Sequence, residues 1–311
     1  MAQVLAMFPG QGSQFVGMGR ELLSEFPATR TIFEEAEDAA RISIRKLCFD
    51  GPEDELKLTA NTQPCILTVS VATWHVLQQE AGFAPYAFAG HSLGEYSAVV
   101  ASGRLSLSRA AFLVRRRGEA MQTAVPAGVG AMAAVLNLSQ EELVERCREF
   151  SSSGKVLEVV NFNAPGQLVV AGHKVAVEAL CKSLEAAGIR SVLLPVSAPF
   201  HSSLMQPARD VMTPLLEDSQ FVANDSRIIA NLTGQLAPDY GSRYLIEQVA
   251  APVLWTQSLA TASQAGCDTY VEVGPGKVLF GLARRAVPKT SKLLHTEDLR
   301  KTVSDLTALK A

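Results

Sequence analysis

Residues 86–96 read Tyr-Ala-Phe-Ala-Gly-His-Ser-Leu-Gly-Glu-Tyr. An apolar run over 86–89 enters this stretch and a helical run over 93–101 leaves it. Between them Gly90-His91-Ser92-Leu93-Gly94 has the spacing of a nucleophile elbow, a serine held on a sharp strand-to-helix turn. Glycines on either side let neighbouring backbone pass closely. A helix that starts there points its first amides at the serine and stabilises negative charge developing beside it. The motif demands an α/β architecture. Alone it recurs by chance in about one chain in ten of this length, so its meaning depends on what else converges on Ser92.

Upstream, residues 4–8 form a short apolar run that reads as a buried strand. It breaks into Pro9-Gly10-Gln11-Gly12-Ser13-Gln14, with a helix expected over 19–40. Such a loop is either an ordinary strand-to-helix turn or the source of an oxyanion donor, the Gln11 amide. Asn61-Thr62-Gln63-Pro64 reads as a helix start with proline at the first helical position, Gln63 lying just outside it. Gly82 ends that helix.

Residues 107–123 form the next helix, capped by Ser106 or Ser108. Ala110, Leu113, Val114, Arg117 and Met121 share one face at steps of three and four. Arg115 and Arg116 fall elsewhere, but Arg117 sits on the apolar stripe. A buried guanidinium is expensive unless it is paired with an anion. The anion is either a protein carboxylate, Glu95 or Glu119, or the carboxylate of a substrate held by the planar fork.

From Gly128 the pattern changes. Strands are expected over 130–138, 156–162, 167–171 and 191–196, with helices over 140–150 and 175–187. Ser139-Gln140-Glu141-Glu142 opens the first of these helices as a capping box. This β-α-β-β-α-β order is the ferredoxin-like unit. The predicted architecture is therefore α/β: a large α/β-hydrolase-like subdomain with a parallel sheet (1–126 and 198–311) and an inserted small ferredoxin-like (βαββαβ) subdomain (127–197). His201 lies in a loop where the chain leaves the insert, a favoured place for a site. His91 adjoins Ser92 but would point to the opposite side of an extended chain. Strands over 228–232 and 269–273 and helices over 244–249 and from 278 complete the reading. Gly274-Pro275-Gly276-Lys277 lacks the spacing of a P-loop. Arg284, Arg285, Lys289 and Lys292 form a basic cluster.

Bulk properties narrow the function further. Of 311 residues, 48% are hydrophobic and 19% charged, which suits a globular protein with ample core. A formal net charge of -3 speaks against a nucleic-acid binder. No apolar run approaches the ~18 residues of a membrane span, and the N-terminus lacks the pattern of a signal peptide. Five scattered cysteines without Cys-x-x-Cys spacing read as reduced thiols in a cytoplasmic chain, with no metal site.

Seven motifs now stand in order: Phe8-Pro9-Gly10-Gln11-Gly12-Ser13-Gln14, Thr62-Gln63-Pro64, Gly90-His91-Ser92-Leu93-Gly94-Glu95-Tyr96, Arg117, Asn161-Phe162-Asn163-Ala164-Pro165-Gly166-Gln167, Pro199-Phe200-His201-Ser202 and Glu272-Val273-Gly274-Pro275-Gly276-Lys277. Together they resemble the malonyl-CoA:acyl-carrier-protein transacylases and the related acyltransferase domains of fatty-acid and polyketide synthases, from Met1 to about Val287. The resemblance implies that Ser92 is the acylated nucleophile and His201 its base, oriented by a backbone carbonyl assigned to Gln248. The amides of Gln11 and Leu93 would form the oxyanion hole. Arg117 would bind the malonyl carboxylate, with Gln63, His91 and Asn161 lining the crevice.

Phe200, immediately before the histidine, goes with malonyl rather than methylmalonyl in related domains. Ala198-Pro199 departs from the Gly-Ala found in many members and bears on the shape of the acyl pocket. The implied partners are malonyl-CoA and acyl carrier protein, with no nucleic acid, no membrane and no cofactor, and a monomer is expected. For carrier docking, Arg115, Arg116 and the Arg284-Arg285 pair are the candidate cations. The rival is an α/β-hydrolase-type esterase or thioesterase using Ser92, with His295 as a C-terminal triad base. A docking protein without activity is a second rival, disfavoured by the intact Ser92 and His201.

Overall fold

The computed structural model describes residues 3–151, 154–196 and 198–309. Among them a five-stranded parallel sheet carries the large subdomain. Its strands are β1 (Gln3–Phe8), β2 (Ala87–Gly90), β7 (Ile228–Ile229), β8 (Cys267–Glu272) and β9 (Lys292–His295), in the order β7-β2-β1-β8-β9. β1 and β2 run in register, Phe8 beside Gly90, so the Gln11 loop and the Ser92 elbow leave the same sheet edge side by side. In open parallel sheets the crevice beyond the strand C-termini is where ligands bind. Both β1 and β2 are buried on both faces, which is why they read as continuous apolar runs.

A second sheet is antiparallel, built of β3 (Gly130–Leu136), β4 (Leu157–Ala164), β5 (Gln167–His173) and β6 (Ser191–Leu193) in the order β4-β5-β3-β6. With helices at Gln140–Phe150 and Lys174–Ala186 this is the ferredoxin-like arrangement. Leu143, Val159, Val170, Val177 and Leu180 form its own core. The main chain of β4 joins it to the large unit: Val253 donates to Val160 at 2.9 Å and Phe162 to Val253 at 3.0 Å. Ser197, the expected last residue of the insert, lies outside the described residues, as do the chain's outermost expected boundaries.

Several helices depart from expectation. The single helix foreseen over 19–40 is two, Arg20–Glu25 and Arg30–Ala40, because Phe26 leaves helical geometry and Pro27 opens a short 3-10 turn. The helix expected to start at Pro64 starts at Thr59 and runs to Ala81. Pro64 has no N–H for the Ala60 carbonyl, and Arg115 supplies the missing donor, Nη1 to Ala60 O at 3.2 Å. Gln63 is thereby inside the helix rather than beside its end. Tertiary contact from the neighbouring helix, Leu107–Thr123, overrides the local proline signal. Helices at Ile44–Asp50 and Trp255–Gln264, and strand β9, carry no cap signal of the kind used above, whereas the helix Leu299–Ala308 has one not used there, Asp298 Oδ1 accepting from the Lys301 amide at 3.0 Å.

Candidate active site

The elbow is sterically closed. An added Cβ on Gly90 would lie 2.0 Å from the Gly94 carbonyl, and one on Gly94 would lie 2.0 Å from the Phe8 oxygen. Only glycine permits β2 and the helix Gly94–Ala101 to pass so closely. Ser92 itself has φ of 52°, the left-handed region that costs a side-chain-bearing residue of order 1–3 kcal/mol. Asn231, just beyond β7, holds the turn from both sides. Its Oδ1 accepts from the Ser92 amide at 2.7 Å and its Nδ2 donates to Gly90 O at 2.6 Å.

His201 reaches Ser92 from the other subdomain boundary. Its φ of 65° follows a turn closed by Ser202, whose hydroxyl donates to Pro199 O at 2.6 Å. Nε2 lies 2.7 Å from Ser92 Oγ, and Nδ1 lies 3.0 Å from the Gln248 carbonyl. A carbonyl oxygen only accepts, so Nδ1 carries the hydrogen and Nε2 is free to accept the serine proton. Burial, reinforced by the neighbouring Arg117 cation, pushes the imidazole pKa down to about 3. The ring is therefore neutral at ordinary pH.

Arg117 is 1% exposed, and its hydrogen-bond partners among the described residues include no carboxylate. Nη1 donates to Gln63 Oε1 at 2.9 Å, and Nη2 donates to Gln248 Oε1 at 2.8 Å and to Ser92 Oγ at 3.2 Å. Its Nε has no partner among the described residues. Neither protein carboxylate considered for it is a direct partner. Glu119 is taken by Arg115 and Arg116, both at 2.7 Å. Glu95 is one bond removed: Gln248 Nε2 donates to Glu95 Oε2 at 2.5 Å.

Glu95 also accepts from Tyr240 Oη at 2.9 Å and from the Asn231 amide at 3.3 Å, and burial raises its pKa to about 7. The guanidinium is thus braced by neutral amides, with a countercharge held at a distance. Burial lowers the Arg117 pKa, yet arginine stays charged under such perturbation. The arrangement leaves it available for an anion from outside.

A cavity of about 120 Å³ opens over these groups. Its walls include Gln11, Gln63, His91, Ser92, Leu93, Arg117, Asn161, Phe200 and His201. The amides of Gln11 and Leu93 have no acceptor among the described residues. Gln11 is fixed by a side-chain relay: Thr59 Oγ1 donates to Gln11 Oε1 at 2.7 Å, and Gln63 Nε2 to Thr59 Oγ1 at 3.1 Å. Phe200 packs against Met132, Val160 and Val169 of the small sheet, so the insert supplies one wall.

Two expectations fail here. His91 does not turn away from Ser92, because the left-handed turn cancels the alternation of an extended chain; its Nε2 lies 2.7 Å from Asn163 Oδ1. His295 is not a triad base, for it sits on edge strand β9 with its ring 5.0 Å from that of Phe280. Of the candidate docking cations, Arg115 and Arg116 are ion-paired, while Arg284 and Arg285 are exposed.

Asn231, Tyr240 and the side-chain work of Gln248 were missed. They lie 139 to 156 residues from Ser92 in sequence and follow no local period, so no pattern within a single element points to them.

A neutral histidine on a strand-to-helix serine, two unspent amides beside it and an unpaired buried guanidinium define an enzyme of covalent acyl transfer. Comparison with known proteins gives the family. Residues 6–303 match the acyl transferase domain family, and the chain belongs to it.

Among curated relatives, the malonyl CoA-acyl carrier protein transacylase of Escherichia coli K12 is 43% identical, covering 92% of this chain and 94% of that protein. The Bacillus subtilis transacylase is 40% identical, with 92% and 90% covered. Among solved structures, the malonyl-CoA:acyl carrier protein transacylase of Xanthomonas oryzae superposes with a TM-score of 0.94 at 38% identity, covering 99% and 98%. A malonyl-transacylase in complex with a type II PKS acyl-carrier protein superposes at 0.91 and 38% identity, covering 98% and 100%. No described helix is long and apolar enough to cross a membrane.

Proposed function

We propose that this acyltransferase moves a malonyl group from malonyl-CoA to the phosphopantetheine thiol of an acyl carrier protein through a malonyl-Ser92 intermediate. The observation that carries the reading is Arg117, a buried cation without a carboxylate partner, 3.2 Å from the nucleophile. An acyl group bearing its own carboxylate completes that pairing. An acetyl group leaves the cation unpaired. The relatives, malonyl CoA-acyl carrier protein transacylases by name, support the same substrate pair.

Ser92 Oγ attacks the thioester carbonyl as its proton passes to His201 Nε2. The Gln248 carbonyl holds the resulting imidazolium through Nδ1. The tetrahedral oxyanion lies between the amides of Gln11 and Leu93. The C–S bond then breaks, and His201 returns the proton to the departing CoA sulfur. The carrier thiol repeats the sequence in reverse on the malonyl ester, giving ping-pong kinetics. Phe200 and Asn161 bound the acyl pocket.

Intact-mass spectrometry tests the proposal. Wild type mixed with malonyl-CoA gains one malonyl group and loses it to added holo carrier protein, while Ser92→Ala gains none. No adduct on folded wild type rejects the assignment. Carriers from fatty-acid and polyketide systems are assayed side by side, because one similar structure holds a polyketide carrier.

A further inference from the structure

Arg117 touches the nucleophile itself as well as bracing the site. Ser92 Oγ gives its hydrogen toward His201 Nε2 at 2.7 Å and accepts a hydrogen from Arg117 Nη2 at 3.2 Å. One of the two lone pairs a serine oxygen can use for attack is therefore occupied by a cationic donor. Counting the guanidinium donors shows what a ligand would change. Of the five guanidinium hydrogens, Gln63 takes one on Nη1 at 2.9 Å and Gln248 and Ser92 take the two on Nη2, while Nε has no partner among the described residues. It is nearness to the reacting carbonyl that sets the Nη2 hydrogen on Ser92 in the path of an incoming acyl carboxylate. The Ser92 contact is the longest of the three at 3.2 Å, and Ser92 and Gln63 line the cavity whereas Gln248 does not.

We infer that Arg117 masks Ser92 until a carboxylate-bearing acyl group arrives, whose carboxylate takes the Nη2 hydrogen that Ser92 otherwise holds and so frees the nucleophile. The inference rests on the transferase reading above and concerns how the same site selects its substrate. Selection then acts in the acylation step as well as in binding: an acyl group without a carboxylate reaches the cavity but meets a serine still hydrogen-bonded to the cation.

His201 responds in the same direction. Arg117 is the second cause, after burial, of its weakened basicity, and a carboxylate beside Arg117 offsets that charge. The chemistry balances without further reactants. The Oγ–C bond forms, the C–S bond breaks, and the serine proton travels through His201 Nε2 to the leaving thiolate.

The test supplies the two halves of a malonyl group in separate molecules. Ser92 acetylation by acetyl-CoA is followed by intact mass with increasing sodium formate, against sodium chloride at equal ionic strength. Formate is expected to accelerate acetylation about three- to tenfold and saturably, the weight of one lost charge-assisted hydrogen bond. In Arg117→Ala, acetylation should be faster without formate and insensitive to it.

A wild-type rate that formate leaves unchanged or slows overturns the inference, and so does a formate response that survives in Arg117→Ala. The wild-type titration decides alone if that variant does not fold. Malonyl-CoA is run in parallel. Malonylation of Ser92 without activation by formate rejects the masking alone, whereas absence of malonylation rejects the transferase reading itself.

Discussion

His201 takes its orientation from the main chain of Gln248, not from a carboxylate: Nδ1 donates to that carbonyl at 3.0 Å, while the Gln248 side chain faces Arg117 at 2.8 Å and Glu95 at 2.5 Å. One residue thus orients the base through an atom that substitution cannot delete and braces the clamp through atoms that it can.

Gln248→Ala separates the two roles. The carbonyl remains for His201, whereas Arg117 Nη2 loses an acceptor and the buried Glu95 carboxylate loses a donor. Stability should fall by about 3 kcal/mol in urea unfolding. The preference for malonyl over acetyl should drop about tenfold as the brace on Arg117 is lost. Equal losses with both acyl-CoAs would contradict the division of labour.

The pH dependence of acylation follows from the His201 pKa of about 3. A base depressed that far stays neutral through mildly acidic pH, so acetylation by acetyl-CoA, which carries no acyl carboxylate, should be flat from about pH 5 to 8. Arg117 contributes to the depression, so Arg117→Ala should move the acid limb to higher pH. Stopped-flow acylation across pH checks this. An acid limb near pH 6.5 in both proteins speaks against it.

Glu272 offers a stability test away from the nucleophile. Its oxygens accept from the Leu279 and Phe280 amides at 3.0 and 2.7 Å, capping the helix Val278–Ala286, and burial raises its pKa from 4.5 to about 7. The folded protein therefore retains a proton that the unfolded chain has already released between those values. Stability falls as pH rises through that window and levels off above it, with Glu272 accounting for a decline on the order of 2–3 kcal/mol. Glu272→Gln, compared with wild type in urea at pH 5 and pH 8, should lose that part of the slope. Parallel slopes would remove Glu272 as the cause.

Part of what Arg115 contributes should depend on Pro64, beside its pairing with Glu119 and its bond to Asn61 Oδ1 at 2.6 Å. Arg115→Ala strands the Ala60 carbonyl and should cost about 1–2 kcal/mol. Pro64→Ala restores a backbone N–H to the helix at that point, so Pro64→Ala/Arg115→Ala should recover much of the loss. Strict additivity in the double-mutant cycle would reject the compensation.

Much of this was legible in the chain. Short apolar runs placed the strands that lead into Gln11 and Ser92, and the helical period placed the helix bearing Arg117, whose bounds, Leu107–Thr123, agree with the expected 107–123. The ferredoxin-like insert followed from element order alone. The expected 19–40 helix ran through Pro27, which breaks it, whereas Pro64, read as a helix start, is absorbed inside a helix by a guanidinium from the next one; the effect of a proline depends on its neighbours.

By itself the sequence determined where a nucleophile could stand. Gly90 and Gly94 are local necessities of a strand turning into a helix, and local sterics are written into adjacent residues. It also marked Arg117 as a buried cation in need of an anion, though not which one. Only the tertiary structure decided that question, by placing Gln63 and Gln248 rather than a carboxylate against the guanidinium and by setting Glu95 one amide away. Those partners come from elements 54 and 131 residues distant. Burial and Coulomb energy depend on distance in space, and separation along the chain carries almost none of that information.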